Sequence, residues 1–177
     1  MFDSSYEFVN IGRTHGNPFI KEDHANYTYI RRYKFKTERE AYIVEIKCFK
    51  PSLYLVEFFL RKDKNNKKRS KYGRLTRNGK ASKIISTCFR IMIQHLKKDE
   101  FASFAFIGSP TVDDNVEEPI TLTQRFRIYR YASINLLGTE SFEQAADEDT
   151  SCYLILNNKV DKEAIKHEAN SILSSLF

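Results

Sequence analysis

At 177 residues the chain is long enough to bury a real core as a single domain. Its first residues lack a charged segment followed by an apolar run, and no apolar stretch is long enough to cross a bilayer. The expectation is no secretory signal and no membrane span, hence a cytoplasmic protein with no membrane association. A net charge of +6 and a pI near 9.1 favour polyanions: nucleic acid, acidic protein faces or phosphorylated cofactors.

The first 25 residues carry turn formers (Gly12, Gly16, Asn17, Pro18) and read as an irregular segment packed on the domain, with Ser5–Val9 a short edge strand. His15, His24, Glu22 and Asp23 match no tight ligand spacing, so no metal is expected. Tyr27–Lys36 alternates aromatic and polar residues, as a half-buried strand does. Ala41–Phe49 puts Tyr42, Val44, Ile46 and Cys48 on one face and Glu45 and Lys47 on the other. Ser52–Leu60 is apolar on nearly both faces, which predicts a central strand covered on each side. Arg61–Arg74 then reads as a solvated basic hairpin loop, and Lys71–Thr76 as a short strand leading to Gly79.

In the next stretch Ala81, Ile84, Ile85, Cys88, Phe89, Met92 and Leu96 recur every three to four positions, the stripe of a helix laid on a sheet. Phe101–Ile107 is the following strand, expected to run parallel to the strand before that helix. Ile120–Leu137 reads as a second helix facing inward through Phe126, Ile128, Tyr129 and Ala132. Ser151–Leu156 is a late strand and Asp161–Leu176 a last amphipathic helix. The fold class is α+β, with a mostly antiparallel sheet. Its three cysteines have no CxxC spacing and read as small buried residues in a reducing compartment.

The loop Thr76-Arg77-Asn78-Gly79-Lys80-Ala81 opens the first helix with a glycine and a small residue. Unpaired N–H groups there, aided by the helix dipole, make a seat for an anion. The order strand, glycine loop, helix, strand, helix, strand behind an antiparallel meander resembles the GNAT superfamily of N-acyltransferases. The resemblance covers about Lys71 to Leu156, and its loop pattern is Arg/Gln-x-x-Gly-x-Gly/Ala. Gly79 and Ala81 match that pattern and Thr76 departs from it. It implies acetyl-CoA as cofactor, its pyrophosphate on the amides of Asn78, Gly79, Lys80 and Ala81. It also implies Tyr129 as the acid that protonates the departing thiolate. The asparagine and alanine usual before that tyrosine are absent, and this chain has Leu122 and Arg125 instead. Tyr33–Arg130 is also similar to a group of small bacterial proteins of no agreed activity, through Phe35-Lys36-Thr37, Tyr42–Ile46, Gly108-Ser109 and Arg125 with Tyr129.

Acyl transfer to an amine also needs a proton acceptor. Glu57, inside an apolar strand, is the candidate and Glu45 the second choice; the alternative for Glu57 is an ion-paired or outward carboxylate. For Tyr129 the alternative is core packing. Separately, Lys64, Lys67, Lys68, Arg69 and Lys71 could track a phosphate backbone or an acidic partner protein, with Tyr72 beside them for stacking on a base. Two functions therefore stay open. One is a divergent acyl-CoA-dependent N-acyltransferase, or a fold member that has lost the chemistry, acting on a macromolecule such as RNA. The other is a non-enzymatic basic binding module, of the sort associated with phage-defence or toxin–antitoxin systems.

Overall fold

The computed structural model describes residues 4–16, 27–66, 71–72, 81–113 and 116–174. Four strands follow one another as an antiparallel meander: β1 (Phe8–His15), β2 (Tyr29–Lys36), β3 (Ala41–Phe49) and β4 (Leu53–Leu60). The β2–β3 turn closes on Thr37, whose Oγ1 accepts the Glu40 N–H at 2.9 Å while its own N–H donates to the Glu40 carbonyl. On β1 the pairing slips between Asn10 and Gly12, where φ at Gly12 is 133°. Only glycine adopts that backbone cheaply.

After β4 come a 3-10 turn at Arg61–Asp63, helix α1 (Ala81–Leu96) and β5 (Ser103–Ile107). A two-residue hairpin, β6 (Val112–Asp113) and β7 (Val116–Glu117), precedes α2 (Gln124–Leu137); β8 (Phe142–Asp147), β9 (Cys152–Asn157) and α3 (Lys162–Ser174) complete the order. The seven long strands form one sheet in the order β1-β2-β3-β4-β5-β9-β8, and β4 with β5 is its parallel pair. The class is α+β with a mostly antiparallel sheet and a C-terminal helix, as the periodicities require.

Strand alternation divides the core in two. Tyr33, Phe35, Tyr42, Val44, Ile46, Tyr54, Val56, Phe104, Phe106, Tyr153 and Ile155 share one face with α1 and α2. On the other face α3 covers Leu53, Leu55, Ala105, Leu154 and Leu156 through Ile165, Ala169 and Ile172. That is why β4 is apolar on both sides: it lies centrally, with a helix layer above and below. All three cysteines are free thiols, and burial pushes that of Cys152 up to about 12, so none is poised as a nucleophile.

Several elements depart from the pattern reading. The N-terminal segment is not irregular throughout, since residues 8–15 form the sheet's edge strand. The acidic stretch near Glu140 contains β8, whose partner β9 supplies the apolar residues that make it a strand. Lys71 and Tyr72 are helical rather than extended, so β5 takes β4 as its parallel partner; residues 73–76 lie outside the described residues. α2 begins four residues later than its apolar pattern, because Thr123 is its cap, with Oγ1 accepting the Phe126 N–H at 3.2 Å. Ala164 is exposed, and Asp161 Oδ1 starts α3 by accepting N–H groups of Glu163 and Ala164.

Gly108 explains why α2 docks where it does. Thr123 Oγ1 donates to its carbonyl at 2.7 Å, and a Cβ at position 108 would lie 2.8 Å from the Phe126 nitrogen. Gly108→Ala should therefore cost about 1–3 kcal/mol, read as a lower urea midpoint with an unchanged slope.

At the far end of α1, His95 is buried against the edge of Tyr54, ring centroids 4.8 Å apart. Tyr54 donates to Asp99 Oδ2 at 2.7 Å, and His95 Nδ1 has no hydrogen-bond partner. Burial, reinforced by Arg31 and Lys98 and opposed by Asp99, pushes the imidazole down to about 4. Its folded pKa lies below its unfolded one, so the stability it leaves intact above pH 6.5 is lost as pH falls toward 4. His95→Phe should flatten that limb of the stability curve in urea melts run across this range.

Candidate functional site: two hollows on opposite faces of the central strand

β4 and β5 are hydrogen-bonded in register at Leu53–Ser103, Tyr54–Phe104 and Leu55–Ala105, and the ladder then stops. Both strands go on, β4 to Leu60 and β5 to Ile107. Beyond that point the Tyr129 ring of α2 packs over both strands, 6.3 Å from the Phe58 ring and 4.8 Å from that of Phe106. The ring is part of the core and is 3 % exposed. Burial pushes its phenol well above the ordinary tyrosine range, an effect that Arg125 partly offsets.

Beside it, the N-terminal turns of α1 and α2 converge on the last residues of β4. They enclose a small cleft of about 100 Å³ lined by Phe58, Leu60, Ala81, Ile84, Arg125 and Ile128. Arg125 reaches across this cleft. Its guanidinium carbon stands 5.7 Å from the centre of the Phe58 ring and its Nη1 donates to the Tyr72 carbonyl oxygen. Lys71 closes another side, its ammonium 3.9 Å from the Phe59 ring centre. The N-terminus of α2 is already satisfied: Glu118 Oε1 accepts the Gln124 N–H at 2.6 Å and Oε2 the Thr111 N–H at 2.8 Å. Those bonds hold its carboxyl below the usual range despite the opposing burial.

On the other face, β2, β3 and β4 align a row of charges. The register sets Arg32 opposite Glu45 and Glu45 opposite Glu57. Like charges directly across a ladder repel, and cations between them offset this. Arg32 Nε meets Glu45 Oε1 at 2.8 Å, Lys47 Nζ meets Glu57 Oε2 at 2.7 Å, and Tyr72 Oη donates to Glu57 Oε2 at 3.3 Å. Glu45, Lys47 and Glu57 are all buried. Over this row lies a cleft of about 370 Å³ whose walls include Tyr27, Lys64, Asn65 and Tyr72.

The residues named from sequence therefore separate. Glu57 and Tyr129 fall on opposite faces of the sheet, and Glu57 is an ion-paired carboxylate. Ala81 lines the cleft at the end of β4, Tyr129 is packed in the core beyond it, and Lys64 lines the other hollow. Lys71 lines both. Asn78, Gly79, Lys80, Lys67, Lys68 and Arg69 lie outside the described residues.

Compared with protein-family models, curated proteins and solved structures, the chain matches none. Among the described residues no helix is long and apolar enough to cross a membrane, and no group of three or more His, Cys, Asp or Glu could hold a metal ion.

Arg125 and Lys47 were not read as site residues from the sequence, and Arg32 only as an extension, with Arg31 and Lys34, of the basic patch. A signal existed for Lys47 and Arg32, since Arg32, Glu45, Lys47 and Glu57 share one face once the hairpin turns fix the register. Arg125 gave none, because nothing local tells that it reaches the Tyr72 backbone.

The buried pairs make the charged face sensitive to unbalanced change. Lys47→Met alone should cost about 3–5 kcal/mol, because Glu57 is left as an uncompensated buried charge. Adding Glu57→Leu should restore most of the loss, and a double-mutant cycle in urea measures both.

Proposed function

We propose that this chain is a GNAT-like protein that holds an acyl-CoA in the cleft where the first turns of α1 and α2 meet the end of β4. The observation that carries this reading is that cleft, lined by Phe58, Leu60 and the first turns of both helices, at the end of a strand whose parallel ladder with β5 stops at Leu55 and Ala105. An apolar cleft at a helix N-terminus offers a slot with an anion seat at its mouth.

The chemistry of the lining fits such a ligand. Phe58, Ile84 and Ile128 suit an apolar arm, and Lys71 and Arg125 suit the phosphates at its end. The slot is narrow at about 100 Å³, and Arg125 lies across it, so its guanidinium must leave Phe58 for an arm to enter. Bound there, an acyl-CoA supplies a thioester open to attack by an amine.

Of the two forms of this reading, an active N-acyltransferase and a fold member without chemistry, the side chains favour the second. Tyr129 keeps its proton across the neutral range, which suits an acid, but its raised pKa gives it little drive to release that proton. Glu57 lies on the other face with Lys47 at 2.7 Å, and would have to shed that partner before serving as a base. Carriage of an acyl-CoA needs neither step. The second function, a basic module for nucleic acid, draws support from a different place, the hollow that Lys64 and Lys71 line on the opposite face.

Ala81→Glu tests the cofactor reading without harming the fold. Ala81 is exposed at the first position of α1, where an acid improves the helix by about 0.3–1 kcal/mol but repels a phosphate. Acetyl-CoA at a hundredfold excess over its Kd should stabilise the native chain by about 2.7 kcal/mol, roughly 5–10 °C in Tm. The variant should show no such shift. An unchanged Tm for the native chain, or an equal shift in both, overturns the proposal.

A further inference from the structure

The hollow over β2, β3 and β4 has features that packing alone does not explain. Elsewhere on this face α3 covers apolar residues, yet the part beneath this hollow is floored by Arg32, Glu45, Lys47 and Glu57. Hydrophobic residues of like volume at these positions would be as stable or more so, because burying two ion pairs costs desolvation that their attraction only partly offsets. Retaining them makes sense where a polar ligand meets them.

We propose that this hollow binds a nucleoside phosphate, either as a free mononucleotide or as the phosphorylated end of a strand. Three observations converge. Its volume, about 370 Å³, lies within the range of small-ligand sites and admits one nucleotide. Among the described residues around it, Arg32, Lys47, Lys64 and Lys71 outnumber the carboxylates Glu45 and Glu57, so the surroundings favour an anion. The half-buried Tyr27 stands on its wall as a stacking surface for a base, beside the buried Tyr72, whose ring packs on Phe59.

The polarity also gives an orientation. Lys64 is exposed on the rim, where a phosphate keeps part of its hydration. Glu45 lies in the floor, where a carboxylate accepts from ribose hydroxyls or from the exocyclic amine of a base. Arg32 is braced for that contact, with Nε on Glu45 and Nη1 on Thr14 Oγ1 at 2.7 Å. The site lies across the sheet from the cleft between the first turns of α1 and α2 and does not rest on the cofactor reading.

The test is calorimetric titration of the full chain with AMP, CMP, GMP, UMP and inorganic phosphate, and with a short single-stranded RNA bearing or lacking a 5′-phosphate. At least one mononucleotide or the phosphorylated RNA should bind more tightly than ~1 mM and more tightly than inorganic phosphate. Lys64→Glu, a change on an exposed turn, should weaken that binding about tenfold or more and lower the salt slope by about one. Preference for the phosphorylated RNA over every free nucleotide identifies a strand end as the ligand, and equal affinity identifies the free nucleotide. Binding of phosphate alone, of RNA regardless of its end, or of nucleotides unaffected by Lys64→Glu overturns the inference. The acetyl-CoA shift should survive Lys64→Glu, and nucleotide binding should survive Ala81→Glu, so each reading fails separately.

Discussion

Three register pairs between β4 and β5 organise this protein. A parallel pair in a sheet needs a long crossover, and α1 supplies it. The crossover must return over the sheet, which fixes α1 on the face that Val44, Ile46 and Val56 make apolar. Once the ladder stops at Leu55, both strands continue. Tyr129 packs over them from α2, and Gly108 lets α2 approach closely enough to bring it there. The two helices that pack over this end of β4 leave a cleft between their first turns. Core packing and the candidate ligand cleft thus share the placement of α1 and α2.

The opposite face answers to electrostatics. α3 covers β4, β5 and β9 there, whereas over β2 and β3 the floor is charged and, among the described residues, Lys71 and Tyr72 lie above it. Each carboxylate in the row has a cation within 3 Å, which makes the row stable as a unit and costly to break one partner at a time. A buried apolar cluster of Ile43, Phe59 and Tyr72 adjoins the row, and Tyr72 Oη donates to Glu57. Lowered dielectric in such surroundings strengthens the pairs.

Much of this was legible from residue order, and the limits have physical reasons. Period-two alternation located β2 and β3, and the doubly apolar run Leu53–Leu60 announced a central strand, because those signals come from burial of individual strands. The stripe of α1 was equally plain. Edge strands are harder: β1 is exposed along nearly its whole length and β8 is acidic, so neither carries an apolar period of its own. They are strands because a neighbour offers a ladder. The site was legible only in parts. Tyr129 was found on its helix and Glu57 on its strand, but which face each occupies relative to the other depends on sheet order, and no local pattern encodes that. Arg125 meets the Tyr72 carbonyl across 53 positions of chain, a contact set by tertiary packing alone.

Lys71 lies at the edge of both hollows, but its ammonium stands on the charged side, 3.9 Å from the Phe59 ring centre and 3.9 Å from Glu45 Oε2. Glu45 is therefore attended from two directions, by Arg32 along the sheet and by Lys71 from above. An anion over the row that drew this flexible ammonium outward would leave the carboxylate to Arg32. Occupancy of the hollow and the strength of its floor are then linked in free energy, and the linkage is reciprocal by necessity.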